Sequence, residues 1–414
     1  MKYDLKFASR FFVLLLGLPL SFNTMAAMSA SVGGGAVLMQ DLNNAQRLNN
    51  TQRLNNASGT QNVVTVAVAV AVPAKSMPLT TAADFANGSM RGFNMVNYGQ
   101  DVSDRYKDSD FSALSATKAN LVRTSIILTR CGGCNSYTFP EATLTRVEHM
   151  LQAGEKYGFK VVVVLAIPHA PGEAAEKAYW TDDYLQRSIA QTWQGIASRL
   201  KSYPALAAYD VINEPVPPQN QSKIMQQQVW HNLAVYLGTA IRNTDPSHVL
   251  IFESAPWASA GNFNNFQTLP FANIVYSFHF YYPYWYNMQG TSDDAPYGVV
   301  YPNAKLNKQV LSLALQPVRD FVKKIGGAPV YVGEFGAVRW SPGVTAYLKD
   351  VIDLFEAEKW SWTYYTYHGD LVFDAEVPNN ASRSIKGPDL IKLRNPKTPS
   401  MNMINSYFSH NTMH

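Results

Sequence analysis

The chain has 414 residues, 47% of them hydrophobic and 15% charged, and a formal net charge of +4 from 34 basic and 30 acidic residues. That composition is ample for a large core and excludes a wholly disordered chain. The charges are well mixed and no Lys/Arg run occurs, so neither nucleic acid nor an acidic membrane surface is expected as a partner.

In chain order, Lys2, Lys6 and Arg10 precede a short apolar run from Phe11 to Leu20, and small residues follow at Ala26, Ala27, Ser29 and Ala30. This is the pattern of a secretory signal peptide over residues 1–30, and the run is short for a membrane span. An uncleaved anchor is the alternative. Export implies a secreted or periplasmic protein, with no stable membrane insertion once the signal is cleaved. Residues 31–80 are rich in Asn, Gln, Ser and Gly, with "QRLNN" at 46–50 and again at 52–56, and read as a low-complexity linker. Inside it, "VVTVAVAVAV" at 63–72 is β-prone and apolar, and no function follows from it.

From about residue 84, short apolar segments alternate with helix-like stretches. The strand candidates are 91–98, 120–128, 160–167, 206–213, 248–254, 274–280, 329–335 and 361–367. Between them, 185–201 places Ile189, Trp193, Ile196 and Leu200 on one helical face, and 143–158 has a similar pattern. Nearly continuous apolar strands suit a parallel sheet covered on both faces. Eight such strands alternating with helices predict an α/β fold, a (β/α)8 TIM barrel, over residues 81–395 with a C-terminal tail at 396–414. An open doubly wound sheet is the alternative, weakened because no glycine-rich phosphate loop follows the first strand.

Cys131 and Cys134, in "TRCGGCNSY", are the only cysteines. A zinc site needs two further ligands that the neighbouring sequence lacks, and a thioredoxin-type motif should open a helix rather than a Gly-rich loop. A small loop disulfide in an exported protein is the expectation.

Active-site residues of a TIM barrel stand at the C-terminal ends of its strands. There the sequence places Arg123 on the second strand, His169 after the third, and Asn213 and Glu214 after the fourth. Glu253 and Trp257 follow on the fifth, His279 and Tyr281 on the sixth, Glu334 on the seventh, and Trp362 and Tyr365 on the eighth. Glu214 and Glu334 each end a run that should be buried, on strands at roughly opposite sides of the mouth. Two carboxyl groups facing across a cleft, one protonated and one ionised, are what cleavage of a glycosidic bond requires. A salt bridge or surface charge is the bland reading of either glutamate alone. Glu253 reads as structural or as part of the rim. Trp257 and Trp285 read as sugar-stacking platforms or as core.

"DVINEP" and "YVGEFGA", with "NLVRTSI", "PHAPG" and "HFYYP", resemble glycoside hydrolase family 5 within the clan of barrel glycosidases, over about residues 88–370. The resemblance implies a retaining double-displacement β-glycanase, with Glu214 as acid/base and Glu334 as nucleophile. It implies that Asn213 binds the sugar 2-hydroxyl, that Arg123 keeps Glu334 ionised, and that Tyr281 donates to Glu334. His169 and His279 would line the subsite of the reacting sugar. It implies carboxyl groups about 5–5.5 Å apart, against about 6.5–9.5 Å in inverting enzymes. One departure stands out: the family usually places Trp beneath the reacting sugar on strand 8, where "WSWTYYTYHGD" offers Tyr365 or, in another register, Trp362.

The expected activity is endo-β-1,4-glucanase, with β-mannanase, β-1,3-glucanase and a non-catalytic polysaccharide-binding barrel as alternatives. "PHAPG" resembles the strand 3 signature of the exo-1,3-glucanase branch. The expected partner is a polysaccharide or oligosaccharide substrate, the expected state a monomer, and neither cofactor nor metal is needed by this chemistry. The long aromatic stretch 285–307 is expected to shape the cleft.

Overall fold

The computed structural model describes residues 77–96, 106–130, 136–167, 179–292, 295–385 and 387–412. The signal peptide, the strand candidate at 63–72, Cys131, Cys134 and His169 lie outside the described residues, as does all but the end of the linker.

Eight parallel strands close into a barrel: β1 (Arg91–Asn94), β2 (Leu121–Ile127), β3 (Lys160–Ala166), β4 (Leu206–Asp210), β5 (Val249–Glu253), β6 (Ile274–Phe280), β7 (Val330–Phe335) and β8 (Ser361–Tyr364). The seam pairs Arg91 with Trp362 and Phe93 with Tyr364. Helices α1 (Asp108–Ala116), α2 (Glu141–Tyr157), α3 (Asp183–Leu200) and α4 (Lys223–Arg242) follow the first four strands. A 3-10 segment, Ala260–Asn265, follows β5 in place of a full helix. The chain continues through α5 (Lys308–Ala314), α6 (Gln316–Lys324), α7 (Val344–Ala357) and α8 (Pro399–Phe408). A small hairpin pairs Thr129–Arg130 with Tyr137–Thr138.

Local chemistry fixes the helix ends. The Asp182 carboxylate accepts the first free N–H groups of α3 from Tyr184 and Leu185. Gly158, at φ 83°, ends α2 in the left-handed conformation that glycine adopts without strain. The face of α3 foreseen from its spacing is buried, and it positions the site. Trp193 Nε1 donates to the Val211 carbonyl at 2.9 Å, pinning the exit of β4. Trp230 on α4 does the same for β5, donating to the Glu253 carbonyl at 2.9 Å.

The barrel floor is closed by a one-turn helix, Ala82–Ala86, whose Phe85 packs on Tyr331 with ring centroids 5.4 Å apart. Around Phe85 gather Leu121, Val162, Ala208, Ile251 and Val275 from the strands. The buried Lys160 ammonium donates to the Pro78 and Pro204 carbonyls and ties the entering chain to this floor. β1 and β2 approach so closely that a Cβ on Gly92 would stand 1.7 Å from the Leu121 carbonyl oxygen. Residues 396–414, expected as a tail, include α8, whose Met401, Ile404 and Phe408 are buried in the core.

No helix among the described residues is long and apolar enough to cross a membrane.

Candidate active site

Side chains of a strand alternate between its faces. In this barrel Asn94, Arg123, Asp210 and Glu253 share the interior, just below the mouth, and all four are fully buried. Arg123 organises them. Its Nε donates to Asp210 Oδ2 at 2.9 Å, Nη1 to Asn94 Oδ1 at 3.1 Å and to Glu334 Oε1 at 2.6 Å. Nη2 donates to Asn213 Oδ1 at 2.8 Å and to Glu253 Oε1 at 2.7 Å. These five bonds match the five N–H groups of a guanidinium. The Asn94 amide nitrogen in turn donates to the Gly333 carbonyl at 2.8 Å.

Glu334 reaches this interior through a break in regular pairing. The register between β6 and β7 shifts at Phe278/His279, so that His279 pairs with Glu334 while Val332 and Phe335 keep the helix-facing side. Gly333 makes the turn inward possible without crowding, since a Cβ there would stand 3.1 Å from both His279 Nε2 and Ser277 Oγ. Tyr281 Oη donates to Glu334 Oε2 at 3.0 Å. Both carboxylate oxygens of Glu334 are therefore held, one by Arg123 and one by Tyr281.

Glu214 lies just beyond β4 with φ 45°, the left-handed region that non-glycine residues seldom occupy. Its backbone N–H donates to Glu253 Oε2 at 2.6 Å, and its Oε1 lies 2.8 Å from His279 Nδ1. One ligand atom each from Glu214, His279 and Glu334 lie within 4.8 Å of one another. The set has the composition of a metal site, two carboxylates and an imidazole. The guanidinium bound to Glu334 opposes a cation there.

Electrostatics divide the carboxyl groups. Burial pushes Glu214 above the usual carboxylate range, outweighing its bond to His279. Burial also works against ionised Glu253, but His279 and Arg123 beside it hold that carboxyl at about 2. Asp210 is driven well above its ordinary range by burial and then by Glu253, against the pull of Arg123. Two carboxyl groups sharing one guanidinium are pushed apart in just this way, one raised and one lowered. Burial disfavours charge on His279, yet Glu253, Glu334 and Glu214 outweigh it and raise the imidazole well above its usual value.

Arg123, Asn213, Glu214, His279, Tyr281 and Glu334 thus converge as the strand-end reading expected. Tyr365 joins them: its ring meets Tyr281 edge-on at 6.5 Å and Phe373 at 5.4 Å. Trp362 does not, and its place is a correction. On β8, Thr363 faces the interior, bonding to the Gly333 carbonyl, and Tyr365 shares its parity. The fully buried Trp362 therefore faces outward, stacked on Phe408 at 5.5 Å with its indole N–H donated to Glu356. Trp257, at φ 60° in the β5 exit, is half-buried, and its N–H donates to the Pro215 carbonyl beside Glu214. Trp285 packs against the main core.

Asn94, Asp210 and Glu253 were missed or undervalued. Glu253 is no rim residue, being fully buried against Arg123, His279 and the Glu214 amide. The available signal was parity: Val249, Ile251 and Glu253 share one face of β5, the face that lines the floor below.

The comparisons agree with this architecture. A family model described as Cellulase (glycosyl hydrolase family 5) matches residues 80–370. Endoglucanase C of Acetivibrio thermocellus is 26% identical over 232 residues, covering 48% of this chain and 65% of that protein. Endoglucanase 3 of Fibrobacter succinogenes is 22% identical over 220 residues, covering 44% of this chain and 33% of that protein. The chain thus spans less than two thirds of the length of these relatives. Among solved structures, the endoglucanase Cel5A from Thermotoga maritima superposes with a TM-score of 0.62 at 19% identity, over 78% of this chain and 100% of that one. The cellulose synthase subunit Z of Clostridioides difficile gives 0.58 at 17% identity, over 76% and 99%. At such identities the superpositions speak for the fold. The family match runs from the floor helix past the last barrel strand and takes in both glutamates, and the chain belongs to glycosyl hydrolase family 5.

Proposed function

We propose that the chain is a retaining β-glycanase, and within that class an endo-β-1,4-glucanase. The observation that carries the reading is the approach of Glu214 and Glu334, with oxygens within 4.8 Å across the mouth. That spacing fits direct attack on the anomeric carbon and leaves little room for the water an inverting enzyme places there.

Glu334 is the nucleophile. Arg123 and Tyr281 fix its two oxygens. Glu214 is the acid: its raised pKa keeps a proton to give to the leaving oxygen as the carbon–oxygen bond breaks. The covalent glycosyl-enzyme then yields to water, whose proton Glu214 takes back. Asn213 uses its carbonyl oxygen on Arg123, so its NH2 is left to bind the sugar 2-hydroxyl. Tyr365 is the platform under the reacting sugar, and Trp257 is a platform beside Glu214. The relatives' names, endoglucanases in the main, support the glucan preference. The basic, apolar and small-residue succession of residues 1–30 supports secretion or export to a periplasm, and we infer that the protein acts as a monomer.

The test is a panel of cellulose derivatives, laminarin, mannan and xylan with product sizing, together with two variants. Glu214→Gln is expected to lose about 10²–10⁴-fold on glucan and far less on an aryl cellobioside with a good leaving group, which needs no acid. Glu334→Gln is expected to abolish both, and a 2-deoxy-2-fluoro cellobioside to label Glu334. Equal losses on both substrates in Glu214→Gln, or labelling elsewhere, would overturn the roles. Intact binding without any product would favour a non-catalytic barrel, and mannan or laminarin products would reassign the substrate.

A further inference from the structure

Glu253 lies at the end of β5, fully buried and beneath both proposed catalytic carboxylates without facing the substrate. Its two oxygens serve different partners. Oε1 accepts from Arg123 Nη2 at 2.7 Å and lies 3.3 Å from His279 Nε2. Oε2 accepts the backbone N–H of Glu214 at 2.6 Å. Its own carbonyl is pinned by the indole of Trp230. Glu214 meanwhile sits at φ 45°, a strained conformation for a residue other than glycine that persists only where the surroundings impose it.

We propose that Glu253 is a positioning residue for the acid/base: its carboxylate holds the Glu214 backbone in the left-handed turn that aims the side chain at the cleft, and aligns His279 beneath it. The inference rests on the reading of Glu214 as the acid. A charged acceptor makes a shorter and stronger bond to an N–H than a neutral one, and here that acceptor is fully buried. His279 lies between the two carboxyl groups, its Nδ1 2.8 Å from Glu214 Oε1 and its Nε2 3.3 Å from Glu253 Oε1. The low pKa of Glu253, held down by His279 and Arg123, fits the role of a charged acceptor for the Glu214 amide.

Glu253→Asp tests this best. It keeps the charge that Arg123 and His279 require but withdraws the oxygens by one methylene from the Glu214 amide. Rates are taken in the first turnover and normalised to active sites counted with the fluoro-sugar label, so that unfolded enzyme drops out. The expected result is a loss of roughly 10²-fold on a cellobioside with a poor aryl leaving group. On one with a good leaving group the loss should be at least tenfold smaller, with KM little changed. Losses equal on the two substrates, or none per titrated site, would overturn the proposal while leaving Glu214 and Glu334 in place. A wild-type chain that neither turns over nor is labelled would instead overturn the underlying reading. A measurement on the wild type needs no variant: with glutamate labelled by 15N, the Glu214 amide proton should resonate far downfield and resist exchange. An ordinary shift with rapid exchange would count against the bond on which the proposal stands.

Discussion

All five N–H groups of Arg123 are engaged before a substrate arrives, and they divide among Asn94, Asp210, Asn213, Glu253 and Glu334. One cation therefore positions Glu334, the Asn213 amide and the buried carboxyl groups of Asp210 and Glu253 at once. The charges around it determine the pH response. Because burial raises Glu214, the acid stays protonated above the ordinary glutamate value of about 4.3. The alkaline limb of kcat/KM should thus fall at a pH above that value, and Glu214→Gln should remove that limb for substrates with good leaving groups. A wild-type limb at or below the ordinary glutamate range would count against the assignment. Tyr365 supplies a second test. Truncation to Ala removes a ring held between Tyr281 and Phe373, so KM for short cello-oligosaccharides should rise about tenfold, a loss of about 1.4 kcal/mol of binding. Oligosaccharide kinetics would show it, and an unchanged KM would remove Tyr365 from the subsite. What was legible at this scale followed chemistry. A carboxylate ending an apolar run is conspicuous, and so Glu214 and Glu334 stood out. Glu253 ends such a run too, but its importance comes from partners on β2, β4 and β6 that sequence distance hides.

Among the elements, β1 and β8 show why pattern reading reached the barrel yet blurred its details. Period-two alternation assigns Thr363 and Tyr365 inward and Trp362 outward, but β8 ends at Tyr364 and the parity had to be carried past its end. The bulge opposite Phe278 is likewise silent in sequence, because a register shift is a property of two strands together. The missing full helix after β5 was invisible for a related reason: a 3-10 segment carries too few residues to show a helical period. Gly92 offers the sharpest test at this level. A methyl group there would run into the Leu121 carbonyl, which belongs to the neighbouring strand and cannot swing aside. Gly92→Ala should destabilise the fold by about 1–3 kcal/mol or more through overpacking. Denaturant unfolding would measure it, and a change within 0.5 kcal/mol, the range of a neutral surface substitution, would contradict the close approach.

For the whole molecule, the two ends of the described chain meet on one face. The entering residues run under the barrel at Pro78, held by Lys160, and the departing residues return there: Asn411 donates to the Lys118 carbonyl and the Thr412 carbonyl accepts from Asn120. Both contacts are at the start of β2, whereas Glu214 and Glu334 stand at the other end of the strands, beyond β4 and near the end of β7. A bead, a surface or a fused protein joined beyond Thr412 would consequently attach on the side away from the mouth. Enzyme coupled to a solid support through its C-terminal end is expected to keep most of its activity on long, insoluble chains, whereas coupling at random lysines should lose more on polymer than on a small aryl glycoside. Equal losses on polymer for the two coupling chemistries would refute it. The floor that closes the barrel is also its handle: the protein can be held there with the opposite face, where the two glutamates open, left free.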